Sequence, residues 1–389
     1  MEKFINVLLI ILGVLVMIFP NAFLNPTIVV MIVSTLAIIV RGKIHYNYKI
    51  LLFWGVLSTI FTCYMLGNTK YSSFFPELFF KYCASPFCWI VIGTYLRSTF
   101  NYEKVIKLFA TISFFSIGSV IVLYILMSFG YISIVKLFIA NPNIDTNKLG
   151  FTLHVYGTLI FFAINFKTIT QLFPKFLVVV YVLLFIVTIF LSGRTALIFT
   201  FVLGILYYFI FNFFNIKKSV AISMILMVFL FIGLLYNYKA IEDYFSIDLS
   251  RYIETNLNKV KESGGEERSQ QTKQIIDAII EYPYGTGFEE VFIIRDYTKR
   301  FNYEVLILAT IMRFGIFTFI IILSSLISIV GWNIRNIFKD KSENFWLLGL
   351  ISILLSSFTN PYLESIAFQW MFFLPIVFLA KNNVKISFR

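Results

Sequence analysis

Charge is what this sequence has least of: Asp, Glu, Lys and Arg make up 13% of its 389 residues, about half the share found in an ordinary soluble domain. Cysteine is sparser still, with three in the chain. Cys63, Cys83 and Cys88 all lie in or beside apolar runs, which excludes a disulfide framework and leaves no cysteine cluster for zinc. The two histidines, His45 and His154, stand far apart with no Cys/His group near either, so no metal site is expected. The first apolar run lacks a small-residue cleavage site and reads as a retained span rather than a cleaved signal peptide. No repeat of fixed period is visible, and the two halves do not match, which speaks against a transporter built from paired repeats.

What fills the chain instead is hydrocarbon. It is 59% hydrophobic and 19% aromatic, with a mean hydropathy of +0.86, values that exclude a soluble globule. Apolar runs of helix-spanning length recur near 4–19, 27–40, 50–66, 78–96, 108–129, 149–165, 176–192, 195–214, 219–236, 304–331, 344–358 and 364–380. A bilayer admits such runs only as helices. The expected fold is therefore all-α, a polytopic membrane protein with about 12 transmembrane helices.

Basic residues set the orientation. Alternate connections carry Arg41, Lys43 and Lys49; Arg97, Lys104 and Lys107; Lys167 and Lys175; Lys217 and Lys218; Arg335, Lys339 and Lys341; and finally Lys381, Lys385 and Arg389. With Lys3 these are 17 of the 32 Lys and Arg residues, faced by only Glu2, Glu103, Asp340 and Glu343. Both termini are thus expected in the cytoplasm, in a multi-pass protein of the cytoplasmic (inner) membrane. The high net charge of +12 needs no nucleic-acid partner.

The one long polar segment, 237–302, falls on the outer side. It divides the chain into an N-terminal membrane domain (1–236), an extracytoplasmic loop subdomain (237–302) and C-terminal membrane helices (303–389). Two helices are expected in the loop, over Ile241–Lys261 and Ser269–Glu281, with Ser263-Gly264-Gly265 as hinge and Pro283 ending the second. Carrying 12 acidic and 9 basic residues, the loop reads as a small folded lid on the outer leaflet.

Four features could carry chemistry. Leu191-Ser192-Gly193-Arg194-Thr195-Ala196-Leu197 is a tight turn between spans with one Arg at its tip, where an interfacial lipid contact competes with bidentate pairing to a pyrophosphate. Arg268 opens the second loop helix ahead of Tyr282-Pro283-Tyr284-Gly285-Thr286-Gly287; Gly285 and Gly287 permit positive φ and close backbone approach. Glu304, at the return to the membrane, could accept a proton from a sugar hydroxyl or simply favour a helix start. Arg313 precedes Phe314-Gly315, and Arg295, Lys299 and Arg300 form a cationic cluster just before that helix; loose binding of lipid or sugar phosphate is expected of Arg313, Arg295 and Arg300. Of the charges at membrane depth, Lys81 is expected to snorkel from its span and Glu364 to sit at the interface.

These residues resemble the O-antigen polymerase and O-antigen ligase superfamily of integral membrane glycosyltransferases. Leu-Ser-Gly-Arg194-Thr-Ala-Leu looks like the family's Ser-Gly-(Ser)-Arg-Thr-Ala turn, and Arg268 with Pro283-Tyr-Gly-Thr-Gly287 is similar to its Arg…Pro-x-Gly-x-Gly signature. Glu304 stands eleven residues before Gly315, where the ligase branch carries the His of a His-Asn pair; this departure favours the polymerase branch. The resemblance implies a fold like the C-type glycosyltransferases, with one large extracytoplasmic loop. It implies a repeat-unit polymerase of polysaccharide biosynthesis (lipopolysaccharide or capsule), moving a growing glycan from polyprenyl pyrophosphate onto a hydroxyl of a second polyprenyl-pyrophosphate-linked repeat unit. Arg194, Arg268 and Glu304 would be catalytic, with no cofactor and no metal. Partners would be lipid-linked glycans, membrane lipids and a chain-length regulator. The alternatives are a ligase-type transferase to another acceptor and a lipid-linked oligosaccharide flippase or exporter.

Overall fold

A computed structural model describes residues 1–41, 54, 55, 57, 58, 79–138, 153–192, 194–212, 265–287, 305–334, 337, 342–357 and 362–380. Regular structure among them is helical. The elements are α1 (Glu2–Met17), α2 (Leu24–Arg41), a π-helical turn Phe80–Ala84 running into α3 (Ser85–Thr99), α4 (Tyr102–Ser128) and the short α5 (Ile132–Lys136). They continue as α6 (Val155–Ala163), α7 (Phe166–Leu172), α8 (Lys175–Ser192), α9 (Thr195–Asn212), α10 (Gly265–Glu281), α11 (Leu306–Ile334), α12 (Glu343–Ser356), two 3₁₀ turns (Tyr362–Glu364 and Ile366–Phe368) and α13 (Trp370–Leu379).

Each expected run that falls on described residues is a helix, or a helix with its flanking turn. α2, α4 and α11 are long and apolar enough to cross a membrane by length and composition. The expected run at 219–236, and all but a few residues of the run at 50–66, lie outside the described residues, as does the first expected loop helix. The second loop helix is present as α10; it begins at Gly265, which had been read as hinge, and stops at Glu281 just ahead of Pro283.

The centre of the bundle is α6, buried at every position, as befits a segment apolar on all sides. It packs against α9, α12 and α4, while α13 joins α12 to α3, and α3 joins α2. Aromatic rings fill the middle: Trp346 stacks on Phe378 with centroids 4.2 Å apart, and Trp370 meets Phe161 at 5.0 Å. Gly204 lets α9 ride directly on α6, since a Cβ there would lie 2.3 Å from the Ala163 carbonyl oxygen. Several buried Ser and Thr return their hydroxyls to carbonyls one turn back, as Thr200 does to Ala196 and Ser356 to Ser352, which gives those hydroxyls a partner inside the core.

Helix ends segregate by chemistry. At one end Arg41 pairs with Glu2 and bonds Tyr95, while Arg97 reaches the Val377 carbonyl and Tyr102 the Phe378 carbonyl. Lys167 departs from expectation. It is buried in α7, its ammonium 6.0 Å from the centre of the Tyr207 ring, because the chain resumes helix after a single turn at Ile164–Asn165 instead of making a solvated connection.

Candidate active site at one end of the bundle

The opposite end is organised by the connection between α12 and α13. Glu364, Ser365 and Gln369 of this segment tie it to the helix ends and turns around it. Ser365 donates to the Asn21 side-chain oxygen at 2.7 Å, and the Asn21 amide nitrogen lies 3.3 Å from His154 Nδ1 at the mouth of α6. Asn21 holds a left-handed φ of 62°, a conformation this residue type tolerates better than most. Gln369 accepts from Ser85 at 2.6 Å and donates to the Lys81 carbonyl at 2.8 Å, tying the π-helical turn to the connection.

That π-helical turn presents two consecutive residues to one partner. Lys81 Nζ lies 2.7 Å from Glu364 Oε2, and the Tyr82 hydroxyl donates to the same oxygen at 2.7 Å. Arg313 from α11 pairs with Glu364 Oε1 and also donates to the Tyr82 hydroxyl, at 2.7 Å. All three charged side chains are buried, with exposures of 9%, 3% and 2% for Lys81, Glu364 and Arg313. Lys81 and Glu364 therefore do not lie apart at separate helix ends as expected; they are buried and paired with each other. Buried charge is tolerated here because each carboxylate oxygen has a cation and Tyr82 completes the hydrogen bonding.

Arg194 caps the start of α9: its carbonyl accepts from Leu197 and Ile198, and its own amide donates to the Ser192 hydroxyl at 3.2 Å. The turn before it is supported from behind by Tyr124, which donates to the Leu191 carbonyl at 2.7 Å. Burial pushes the Tyr362 hydroxyl up while the Arg194 charge pulls it back. Arg194 and Arg313 thus act on two residues of one connection, Tyr362 and Glu364.

α11 is broken where the loop's glycine turn meets it. Gly315 has φ 81° and ψ 163°, which takes the carbonyls of Met312 and Arg313 out of the helical ladder. The turn replaces the lost partners: Thr286 N donates to Met312 O at 2.8 Å, Gly287 N to Arg313 O at 3.0 Å, and Ile316 N to Pro283 O at 3.1 Å. Gly285 and Gly287 both have positive φ, 101° and 65°. Backbone groups freed by a break away from water need such substitutes. α10 is fastened to the same stretch, with Ile275 and Ala278 packed on Ala309 and Met312. Arg268 lies in the first turn of α10.

Of the sequence-predicted site residues, Arg313, Gly285 and Gly287 are thus brought together, with α10 carrying Arg268 docked beside them. Arg194 lies near enough to the connection between α12 and α13 for its charge to act on Tyr362. Glu304, Arg295 and Arg300 lie outside the described residues. Tyr82, Tyr362 and Gln369 were not anticipated. No single residue signalled them, since the π-helical turn that aims Lys81 and Tyr82 alike has no sequence mark beyond the Pro86 that follows it. No group of three metal-ligating side chains occurs among the described residues.

Residues 179–323 match the model of the O-Antigen ligase family, in agreement with the resemblance carried by the Ser-Gly-Arg and Pro-x-Gly-x-Gly motifs. The matched stretch runs from α8 into α11 and contains Arg194, Arg268, the glycine turn, Glu304 and Arg313. No curated protein and no solved structure matches the chain.

Proposed function

We propose that this chain is a repeat-unit polymerase acting on lipid-linked glycans at the outer face of the cytoplasmic membrane. The match of residues 179–323 to the O-Antigen ligase family carries the reading. That family description supports glycan transfer from a lipid carrier as the reaction class. The polymerase branch is favoured by Glu304, which stands where the ligase branch has histidine.

In the proposed reaction an acceptor sugar hydroxyl attacks the anomeric carbon of the donor glycan. The new carbon–oxygen bond forms as the bond to polyprenyl pyrophosphate breaks. Glu304 takes the hydroxyl proton, and the departing pyrophosphate carries away the bonding pair as negative charge. Arg194 and Arg268 stabilise that charge as it develops, through planar guanidinium forks suited to phosphate oxygens. Arg313 is already committed to Glu364 and Tyr82, and its carbonyl holds Gly287. Its proposed role is to position the glycine turn and α10 rather than to touch phosphate.

The second reading, a ligase-type transferase, is kept because the matching family model carries that description. Purified protein in nanodiscs should extend polyprenyl-pyrophosphate-linked repeat units into polymer and leave lipid A-core unmodified. Transfer to lipid A-core without polymer would establish the ligase reading. Movement of the lipid-linked glycan across the bilayer without any new glycosidic bond would establish the exporter.

A further inference from the structure

α10 carries more apolar surface than α11 covers. At 100° per residue, the order of side chains round the C-terminal half of the helix, over residues 273–281, runs from the buried Ile275 to Ile279, Ile276 and Ile280, then Lys273, Asp277 and Glu281. The apolar arc therefore continues past the contact with Ala309 and Met312 onto Ile276 and Ile280, which are 42% and 73% exposed. Beyond the helix it runs on through Tyr284, 74% exposed, whose ring stacks at 6.0 Å on Phe317 of α11, itself 66% exposed. Phe317 belongs to the outward apolar surface of α11, one of the helices long and apolar enough to cross a membrane.

Depth follows from the helix break. From Ile316 to Ile334, α11 runs 19 residues past Gly315, about 28 Å at 1.5 Å per residue, which matches the hydrocarbon thickness of a bilayer. Gly315 and the Tyr284 turn against it then stand at one hydrocarbon boundary. α10, packed on the stretch before the break, lies at the level of the headgroups. A tyrosine at that level, with an apolar stripe flanked by charge, is the pattern of a helix lying in the interface.

We infer that α10 is an interfacial helix whose Ile276–Ile280 stripe, continued by Tyr284, is seated in the lipid of one leaflet. The observation is independent of the reaction: it requires only that α11 spans the membrane. The continuity of the stripe with Phe317 selects lipid over a protein partner as its occupant.

The test uses full-length protein with Cys63, Cys83 and Cys88 replaced by alanine and one cysteine introduced at Ile280→Cys, Glu281→Cys, Ile276→Cys or Asp277→Cys. Each is labelled with an environment-sensitive fluorophore and placed in phosphatidylcholine/phosphatidylglycerol nanodiscs. Quenching by nitroxide-bearing lipid is compared with quenching by aqueous iodide. The lipid-to-iodide ratio should be severalfold higher at position 280 than at 281, and at 276 than at 277. Equal ratios within both pairs would overturn the inference, as would shielding of positions 276 and 280 from both quenchers, which would put protein over the stripe. Because the two pairs are adjacent in sequence, either alone decides if a variant of the other is not produced. No step reads turnover, so a failure of the polymerase reading leaves this result unaffected.

Discussion

The backbone of Gly315 lies against that of Tyr284 so closely that a Cβ on Gly315 would sit 2.4 Å from the Tyr284 carbonyl oxygen. Neither atom belongs to a flexible group, and the φ of 81° at Gly315 disfavours any side chain. Gly315→Ala should therefore lower thermal stability in detergent and detach the turn, raising protease sensitivity around 283–287. A backbone at φ 81° and ψ 163° is essentially open only to glycine and costs roughly 1–3 kcal/mol for alanine, and the collision adds to it. Gly118→Ala, into open space on α4, should leave stability unchanged or slightly raised.

Glu364→Gln removes the carboxylate that pairs both Lys81 and Arg313. Loss of one partner from a buried ion pair costs about 3–5 kcal/mol, so the variant should melt well below the natural protein. A Glu364→Gln variant that melts together with the natural protein would contradict the ion-pair account.

Arg194→Ala and Arg268→Ala should each abolish polymer while the protein remains in the membrane. Loss of one such donor commonly costs on the order of 10²–10³ in rate. Arg→Lys at either position should also be badly impaired, because a point charge replaces a planar fork. Near-normal chain synthesis in both lysine variants would assign these arginines to lipid contact.

Glu304→Gln should keep binding of the lipid-linked substrates and lose most turnover, since the amide cannot take a proton. Glu304→His should retain activity at neutral pH, where imidazole is a competent base. Natural rates in Glu304→Gln would reduce the carboxylate to a helix-start residue.

Reporter fusions after Lys107 and Lys218 should read cytoplasmic, and a fusion near Gly265 external, because the basic residues divide so unevenly between alternate connections. A cytoplasmic signal at Gly265 would place Arg268 and the glycine turn in the wrong compartment for the proposed substrates.

The helices were legible because hydropathy and length together leave a membrane segment few alternatives: the run expected at 176–192 is α8, Lys175–Ser192. The loop helix was legible through its apolar spacing and Pro283. The pairing of Glu364 with Lys81 and Arg313 was not, since each charge taken alone has an inexpensive reading at a helix end, and only the fold shows that the three share one place. Nor does a Gly-x-Gly pair announce that its amides will complete a broken helix elsewhere in the chain. Lys167 misled for the opposite reason: a lysine between two apolar runs normally marks a solvated connection, but here a tyrosine ring and a near-continuous helix enclose it.

The ion cluster also fixes an order of assembly. Contacts of the glycine turn with α11 close over short distances, Thr286 to Met312 spanning 26 residues. Tyr82 and Glu364 are 282 residues apart. At a translation rate of about 5–20 residues per second, Lys81 and Tyr82 emerge roughly a quarter of a minute to a minute before Glu364 does. A nascent chain must therefore carry Lys81, and later Arg313, ahead of the carboxylate that pairs both. The last connection, between α12 and α13, is the keystone of synthesis, and a chain cut short before residue 364 reaches quality control with this end of its bundle unlocked.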